Sequence, residues 1–428
     1  MNTADLHRIF LSSSGISTDT RSIEPANLFF ALKGDNFNAN EFAKDALAKG
    51  AAHAVIDDPA YAGSKDQYIV VEDTLQSLQD LARFHREYLG IPIVAITGSN
   101  GKTTTKELCR EVLSSTFKVK ATTGNLNNHI GVPLTLLAMD ESVEIGIVEM
   151  GANHLGEIAA LCEIARPDIG YVTNFGKAHL EGFGGFDGVI AGKSELYGYL
   201  RSSNKKIILN LDDPIQRKQQ PYTNTFCFAS ESRLKPDLQI SFIAEKEFAK
   251  IRVNGHEISS QLSGHYNALN MAAAVAVGSL FGVELSAAQK AIAKYTPQNN
   301  RSQIMNVNQT TVLLDAYNAN PTSMRAALEN FIAKPAPYKV AILGDMFELG
   351  ASSEEEHQEL VDYLSKAEID KVILLGKNFF QTRSPETFDK HREIEEMEDK
   401  FSAKWPENTL VLIKGSRGMA LERLLNRF

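Results

Sequence analysis

Apolar residues fall along this chain in three blocks with different rhythms. From Met1 to about Leu89 the predicted elements are short: Leu28–Leu32 and Ala54–Ile56 read as strands, and Glu41–Lys49 as a helix. The segment Thr74–Tyr88 predicts an amphipathic helix, with Leu75, Leu78, Leu81, Ala82 and Leu89 at helical spacing. Gly90 and Pro92 then break the pattern. From Ile91 to about Tyr295 strands alternate with helices. Ile93–Thr97, Ile145–Met150, Ile169–Asn174 and Lys206–Asn210 are apolar strands, and each runs into a loop. Continuous apolar strands alternating with helices predict a parallel sheet covered on both faces. The alanine-rich stretch Met271–Gly282 reads as a buried helix, too short to span a membrane. After a linker at Pro297–Asn300 the alternation restarts, with strands at Thr311–Leu314, Lys339–Leu343, Lys371–Leu375 and Thr409–Ile413.

The expected fold class is therefore α/β in three domains. A small α/β domain covers residues 1–89, a central parallel-sheet domain with a phosphate loop covers 90–296, and a Rossmann-like domain covers 297–428. A chain of 428 residues exceeds what one hydrophobic core sustains, which agrees with that division. Composition narrows the class further. A formal net charge of -9 argues against general binding to nucleic acid or anionic membrane. Three scattered cysteines, without C-x-x-C spacing, fit a reducing compartment better than a disulfide framework or a zinc ribbon. The apolar run near the N-terminus (Ile9, Phe10, Leu11) is too short for a signal peptide, so a cytoplasmic protein is expected.

The strongest chemical signal is Thr97-Gly98-Ser99-Asn100-Gly101-Lys102-Thr103-Thr104, lying between a strand and a helix that starts near Thr103. Glycines let the backbone curl until its N–H groups face phosphate oxygens. The Lys102 ammonium would reach the terminal phosphates, and the Thr103 hydroxyl would meet magnesium. Ile96 stands where the strict phosphate-loop pattern has glycine, and a glycine-rich turn without a ligand is the alternative. Glu149, at the end of a parallel strand, lies on the edge where such sheets bind ligands and could complete a magnesium site. His179 follows another strand end on the same edge, although a lone histidine is usually structural. Lys193 taken alone reads as an ordinary solvated helix lysine.

Taken together these runs resemble the Mur ligases in order and spacing. The resemblance rests on the phosphate loop lacking its first glycine, Glu149-Met150-Gly151-Ala152, the loop Asn174–Glu181 and Gly192-Lys193-Ser194-Glu195-Leu196. Gly124–Pro133 and Gly264–Asn270 extend it over almost the whole chain. It implies ATP as cosubstrate, held by Gly98, Ser99, Asn100, Gly101, Lys102, Thr103 and Thr104. Thr103 and Glu149 would hold one Mg2+, and His179 and Lys193 a second, with Lys193 carbamylated so that its head becomes an anionic oxygen donor. Asn267 and Asn270 would meet adenine, Asp315 the ribose and Arg301 the γ-phosphate. Lys102, Lys193, His179 and Arg301 would carry the catalysis.

Two further runs resemble particular branches of the family. Ser17–Arg21 with Leu28–Gly34 is similar to the uridine-nucleotide-binding domain of the tripeptide- and pentapeptide-forming members. Asp315–Met324 and Leu343–Gly350 resemble the pentapeptide-forming branch, and the Asp-Asn-Pro-Arg run of the diaminopimelate-adding branch is missing. The resemblance implies Thr20, Arg21, Asn128, Asn318 and Asn320 as substrate contacts. It also implies the substrates UDP-N-acetylmuramoyl-tripeptide and D-alanyl-D-alanine, in a monomer without nucleic-acid or membrane partners. The alternatives are a diaminopimelate- or lysine-adding relative, a folylpolyglutamate-synthase-like enzyme, a nucleotide switch and an inactive relative. Two places depart from the family pattern: Asn38-Ala39-Asn40 replaces the common Asp-Gly-His, and Asn299-Asn300 the common Pro-Gly before Arg301.

Overall fold

The computed structural model describes residues 1–63, 66–244, 247–297, 300–398 and 405–428. Of the expected linker, Gln298 and Asn299 lie outside the described residues.

Three larger sheets follow one another along the chain. The first has four parallel strands, Ile16–Ser17, Leu28–Phe30, His53–Ile56 and Tyr68–Val70, side by side in chain order. The expected helix appears as Thr74–Leu89, capped by Asp73 at its start and ended by Gly90 in the left-handed region. Leu78, Leu81 and Ala82 on its buried face join the core that also packs one side of the central sheet. Where Asn38-Ala39-Asn40 departs from the family pattern, the buried Asn40 donates to Asp57 Oδ1 at 2.8 Å. Asp57 in turn pairs with Lys33 at 2.8 Å, so the departure is absorbed into the frame of this sheet.

A histidine pair ties the first sheet's helices to the central region. His7 Nε2 lies 3.0 Å from His85 Nδ1, and His85 Nε2 lies 2.8 Å from the Met139 carbonyl oxygen. Burial pushes both imidazoles below their ordinary value, partly opposed at His85 by the Met139 carbonyl and the Asp140 carboxylate. The unfolded chain then takes up protons that the fold refuses. Stability is full above about pH 6.5 and falls as pH drops through that unfolded-state value. The apparent unfolding midpoint should be lower at acid pH, and His85→Gln, which keeps a donor but cannot charge, should lessen that drop. An undiminished drop in the variant would show that the pair is not its source.

The central sheet has nine strands. From one edge they run Val119–Ala121, Ile145–Glu149, Ile93–Thr97, Ile169–Val172, Lys206–Asn210, Thr225–Ala229 and Leu238–Ile243, all parallel. Ile93 and Ala95 face one core while Val94 and Ile96 face the other, as the period of two demands of a strand covered on both sides. The expected parallel sheet is extended at its far edge by strands the pattern did not announce. There Lys250–Val253 and His256–Ser259 add two antiparallel strands. Their burial alternates rather than staying complete, because one face is open to water. The turn between them, Asn254-Gly255, has positive φ at both residues, the geometry that joins adjacent antiparallel strands. The alanine-rich segment lies in the helix His265–Leu280, buried from Met271 to Gly278 and packed on the helix Lys102–Ser114.

The third sheet orders its strands Gln303–Val307, Thr310–Asp315, Thr409–Lys414, Tyr338–Gly344, Lys371–Leu375 and Asp389–His391. The four strands expected here are its parallel centre. The first strand is an antiparallel addition that the apolar pattern did not announce, since only its partner Thr310–Asp315 is deeply buried. Among the described residues no helix is long and apolar enough to cross a membrane. The three cysteines are buried, unpaired thiols.

Candidate active site

The carboxyl ends of the central strands open into a cavity of about 630 Å³, closed on its far side by loops of the third sheet. At its floor the strand Ile93–Thr97 turns sharply through Gly98 to Gly101 into the helix Lys102–Ser114. A Cβ on Gly98 would stand 2.1 Å from Thr173 Oγ1, and φ there is +136°. Only glycine fits so close an approach. Thr173 Oγ1 donates to the Asn100 carbonyl at 2.6 Å, Asn174 Nδ2 to the same oxygen at 2.9 Å, and Ser99 Oγ to the Gly176 carbonyl at 2.9 Å. The expected strand Ile169–Asn174 stops at Val172 because the residues after it leave the sheet to hold this loop.

Lys102 Nζ folds back onto its own loop, donating to the Gly98 carbonyl at 2.7 Å and the Ser99 carbonyl at 3.4 Å. Burial holds its amine below the ordinary value, with Glu149 opposing that effect and Arg301 adding to it. Glu149 is 1% exposed; its Oε1 accepts from Asn127 Nδ2 at 2.8 Å, while Oε2 has no hydrogen-bond partner. Thr103 Oγ1 is likewise buried without a partner, and both side chains line the cavity. Glu149 Oε2 also lies 3.9 Å from the buried Lys106 Nζ; two buried oxygens without hydrogen bonds, one of them a carboxylate's, suit a hard cation that completes its shell with phosphate oxygens and water. Thr104 and Gly101 also line the cavity.

His179 lines it too, held in the left-handed region at φ 53°. Its Nδ1 lies 2.5 Å from Glu348 Oε2, an ion-pair distance without hydrogen-bond alignment, and the ring holds the Glu348 carboxyl below its usual value. Lys193 is not in the lining. It is 1% exposed, donates to the Ala152 carbonyl at 2.8 Å and sits 4.8 Å from the centre of the Phe183 ring. Burial, with the charge of Lys102 second, pushes its amine well below the ordinary lysine value. Ala152 itself lines the cavity, so Lys193 stands directly behind the wall.

On the opposite side Asn270 Nδ2 donates to Asn267 Oδ1 at 3.0 Å, and Asn267 Nδ2 to the Ser263 carbonyl at 2.7 Å. Arg301 lies between Asn300 and Ser302, both at positive φ, and its guanidinium stacks 3.6 Å from the centre of the Tyr317 ring. Asp315 accepts from the buried Lys414 at 2.6 Å. Asn318 lines the cavity from an exposed turn. Asn320 caps the helix Pro321–Ala333 and reaches across to the phosphate loop, its Nδ2 donating to Asn100 Oδ1 at 2.7 Å. Asn128 sits at the exposed rim, where its Oδ1 accepts from Gly131 N at 2.9 Å. Thr20 and Arg21 are not in this cavity; Arg21 is exposed and paired with Asp19 at 2.7 Å. Sequence reasoning assigned no role to Asn127, Tyr317, Glu348 or Lys414. Lys414 ends the strand Thr409–Lys414 and Glu348 lies in the loop after Tyr338–Gly344, and placement at strand ends of the third sheet was the available signal.

Three stretches match family patterns: residues 12–86 the "Mur ligase family, catalytic domain", 96–278 the "Mur ligase middle domain" and 300–417 the "Mur ligase, glutamate ligase domain". A protein of Bacillus subtilis named UDP-N-acetylmuramoyl-tripeptide--D-alanyl-D-alanine ligase is 33% identical over 425 residues, covering 96% of this chain and 92% of the relative. The chain belongs to the Mur ligase family. Among solved Mur ligases, MurF from Acinetobacter baumannii superposes with a TM-score of 0.86 at 29% identity, covering 96% of this chain and 92% of that one. MurF from Thermotoga maritima, solved in complex with ADP, gives 0.85 at 28% identity, covering 98% and 97%. The cavity is thus lined from the central and third sheets, and the α/β class expected from the alternation of strands and helices holds for all three matched stretches.

Proposed function

We propose that this Mur ligase joins UDP-N-acetylmuramoyl-tripeptide to D-alanyl-D-alanine with cleavage of ATP to ADP and phosphate, a step in peptidoglycan precursor synthesis. The observation that carries the reading is the cavity in which the phosphate loop and the orphaned oxygens of Thr103 and Glu149 face the Asn318–Asn320 turn. The names of the relatives at about one-third identity support the two substrates. The units are residues 1–89 for the uridine precursor, 90–296 for ATP and 297–428 for closure over it.

A carboxylate is a poor electrophile, so the tripeptide carboxylate first takes the γ-phosphoryl group of ATP and becomes an acyl phosphate. The amine of D-alanyl-D-alanine attacks that carbonyl, and the tetrahedral intermediate collapses to the amide and inorganic phosphate. Lys102 and Arg301 offset charge on the phosphoryl group, chiefly a task of position and electrostatics. Thr103 and Glu149 would hold one Mg2+, and His179 with a carbamylated Lys193 a second; bound there, the ions would supply further positive charge to the same group. Asn267 and Asn270 hold the adenine, Asp315 the ribose. Thr20, Arg21 and Asn128 engage the precursor, and Asn318 and Asn320 the dipeptide. The loops of the third sheet exclude water, which protects the acyl phosphate. We propose that the enzyme acts as a cytoplasmic monomer whose partners are these small molecules.

The test is phosphate release from ATP and magnesium, with the UDP-tripeptide and the dipeptide added singly and together. Release that needs both, with a matching mass gain on the tripeptide, is expected. Release with a single amino acid and a shorter UDP-peptide would instead assign the diaminopimelate- or lysine-adding activity.

A further inference from the structure

The run Leu343–Gly350 ends the strand Tyr338–Gly344 and leaves the third sheet toward the central one. Its anchors are buried. Asp345 accepts from Asn378 N and Phe379 N, both at 2.9 Å, while Met346 N donates to His357 Nε2 at 3.0 Å and Phe347 N to Ser416 Oγ at 2.9 Å. On this fixed base Glu348 adopts φ 63°, a left-handed conformation unusual for a side chain of its length. There it grips the segment after the Ile169–Val172 strand at two points. Its carbonyl accepts from Glu181 N at 3.3 Å, and its carboxylate lies 2.5 Å from His179 Nδ1. The imidazole is thus addressed from behind on one nitrogen, leaving Nε2 as its single remaining donor atom. A histidine that ligates a metal characteristically donates its other ring N–H to a carboxylate, and Glu348 stands at ion-pair distance from that nitrogen, though not aligned for a hydrogen bond.

We infer that Glu348 is a positioning residue which the third sheet contributes to the metal-dependent site, setting the His179 ring only when the C-terminal unit is docked. The inference rests on the reading of His179 as a Mg2+ ligand. It gives domain closure a second consequence beyond excluding water: the histidine is oriented by the arriving unit. A separate docking contact nearby, Lys177 Nζ to Glu356 Oε1 at 2.5 Å, does not touch His179 and serves as a control.

The experiment is Mn2+ binding to the full chain with saturating ADP, read from the electron paramagnetic resonance of free Mn2+. Glu348→Ala should weaken binding at one site about tenfold, and Glu348→Gln, which retains an acceptor oxygen at equal reach, should recover most of it. Lys177→Met should leave the isotherm within about twofold of the parent, since it loosens docking without addressing the ligand. A parental isotherm in Glu348→Ala overturns the inference, and so does an equal loss in Lys177→Met, which would make the effect one of docking in general. His179→Ala separates the two layers. If it too binds Mn2+ as the parent does, the ligand reading fails and takes the inference with it; if it alone weakens binding, only the inference fails.

Discussion

Lys193→Ala should lower amide-forming turnover by roughly a hundredfold or more, the scale expected when a charge-stabilising group is lost from phosphoryl transfer. Short carboxylic acids such as formate or acetate should restore part of it. The expectation follows from where Lys193 stands. An amine forms a carbamate only when neutral, and burial against Phe183 holds this amine well below its usual value. Carbamylation would lengthen the side chain past the Ala152 carbonyl that Nζ now meets and carry an anionic oxygen toward the cavity. Truncation to alanine removes that oxygen and leaves a narrow slot, which a small carboxylate can fill with the same charge. The measurement is phosphate release with both substrates, with and without added acid, alongside thermal unfolding. Near-normal turnover would sink the assignment. Lost turnover without rescue, in a variant that unfolds early, would assign Lys193 to the frame of the wall instead.

The burial of Lys193 marks how far the sequence could be read. Taken alone the residue looks like a solvated helix lysine, yet the helix Phe186–Ser202 buries Val189, Gly192, Leu196, Tyr197 and Leu200, and Lys193 lies on that same stripe. A charged residue among apolar positions at helical spacing was a legible signal that something unusual holds it. Strands buried on both faces were also legible, because such positions are filled mostly by apolar residues: Ile93–Thr97, Lys206–Asn210 and Lys371–Leu375 fall where the pattern puts them. The edge strands Lys250–Val253 and His256–Ser259 were not, since their outward residues are charged or polar and dilute the apolar count. Only the Asn254-Gly255 turn marked them. Least legible were the contacts across the cleft. Asn100 and Asn320 lie 220 residues apart in the chain, and no local period reports such a pairing. The family resemblance grouped the site residues, but the two-point grip of Glu348 and the stacking of Arg301 on Tyr317 are facts of the fold.

Lys102→Met should be as damaging as the loss of Lys193, roughly a hundred- to a thousandfold in turnover, the range measured when one preorganised donor to a developing charge is removed. Methionine keeps the apolar stem and lets the loop remain closed, so the loss isolates the ammonium. The loop loses the ammonium's bonds to the Gly98 and Ser99 carbonyls but stays laced by Thr173, Asn174 and Ser99 through bonds that Lys102 does not share. The variant should therefore unfold as the parent does and fail at chemistry. The charges at the cavity are also coupled. Lys102 feels both Glu149 and Arg301, and its own charge is the second largest influence depressing the Lys193 amine. Groups that act on one transferring phosphoryl do not contribute independently, so Lys102→Met with Lys193→Ala should cost little more than the worse single variant. Rates of phosphate release from the four proteins close that cycle. If the two losses multiply, the lysines serve separate steps, and the convergence of their charges on one phosphoryl group is wrong. If they fail to multiply, one of them on the phosphate loop and the other behind the Ala152 wall stabilise the same charge, and the cavity between them is where it develops.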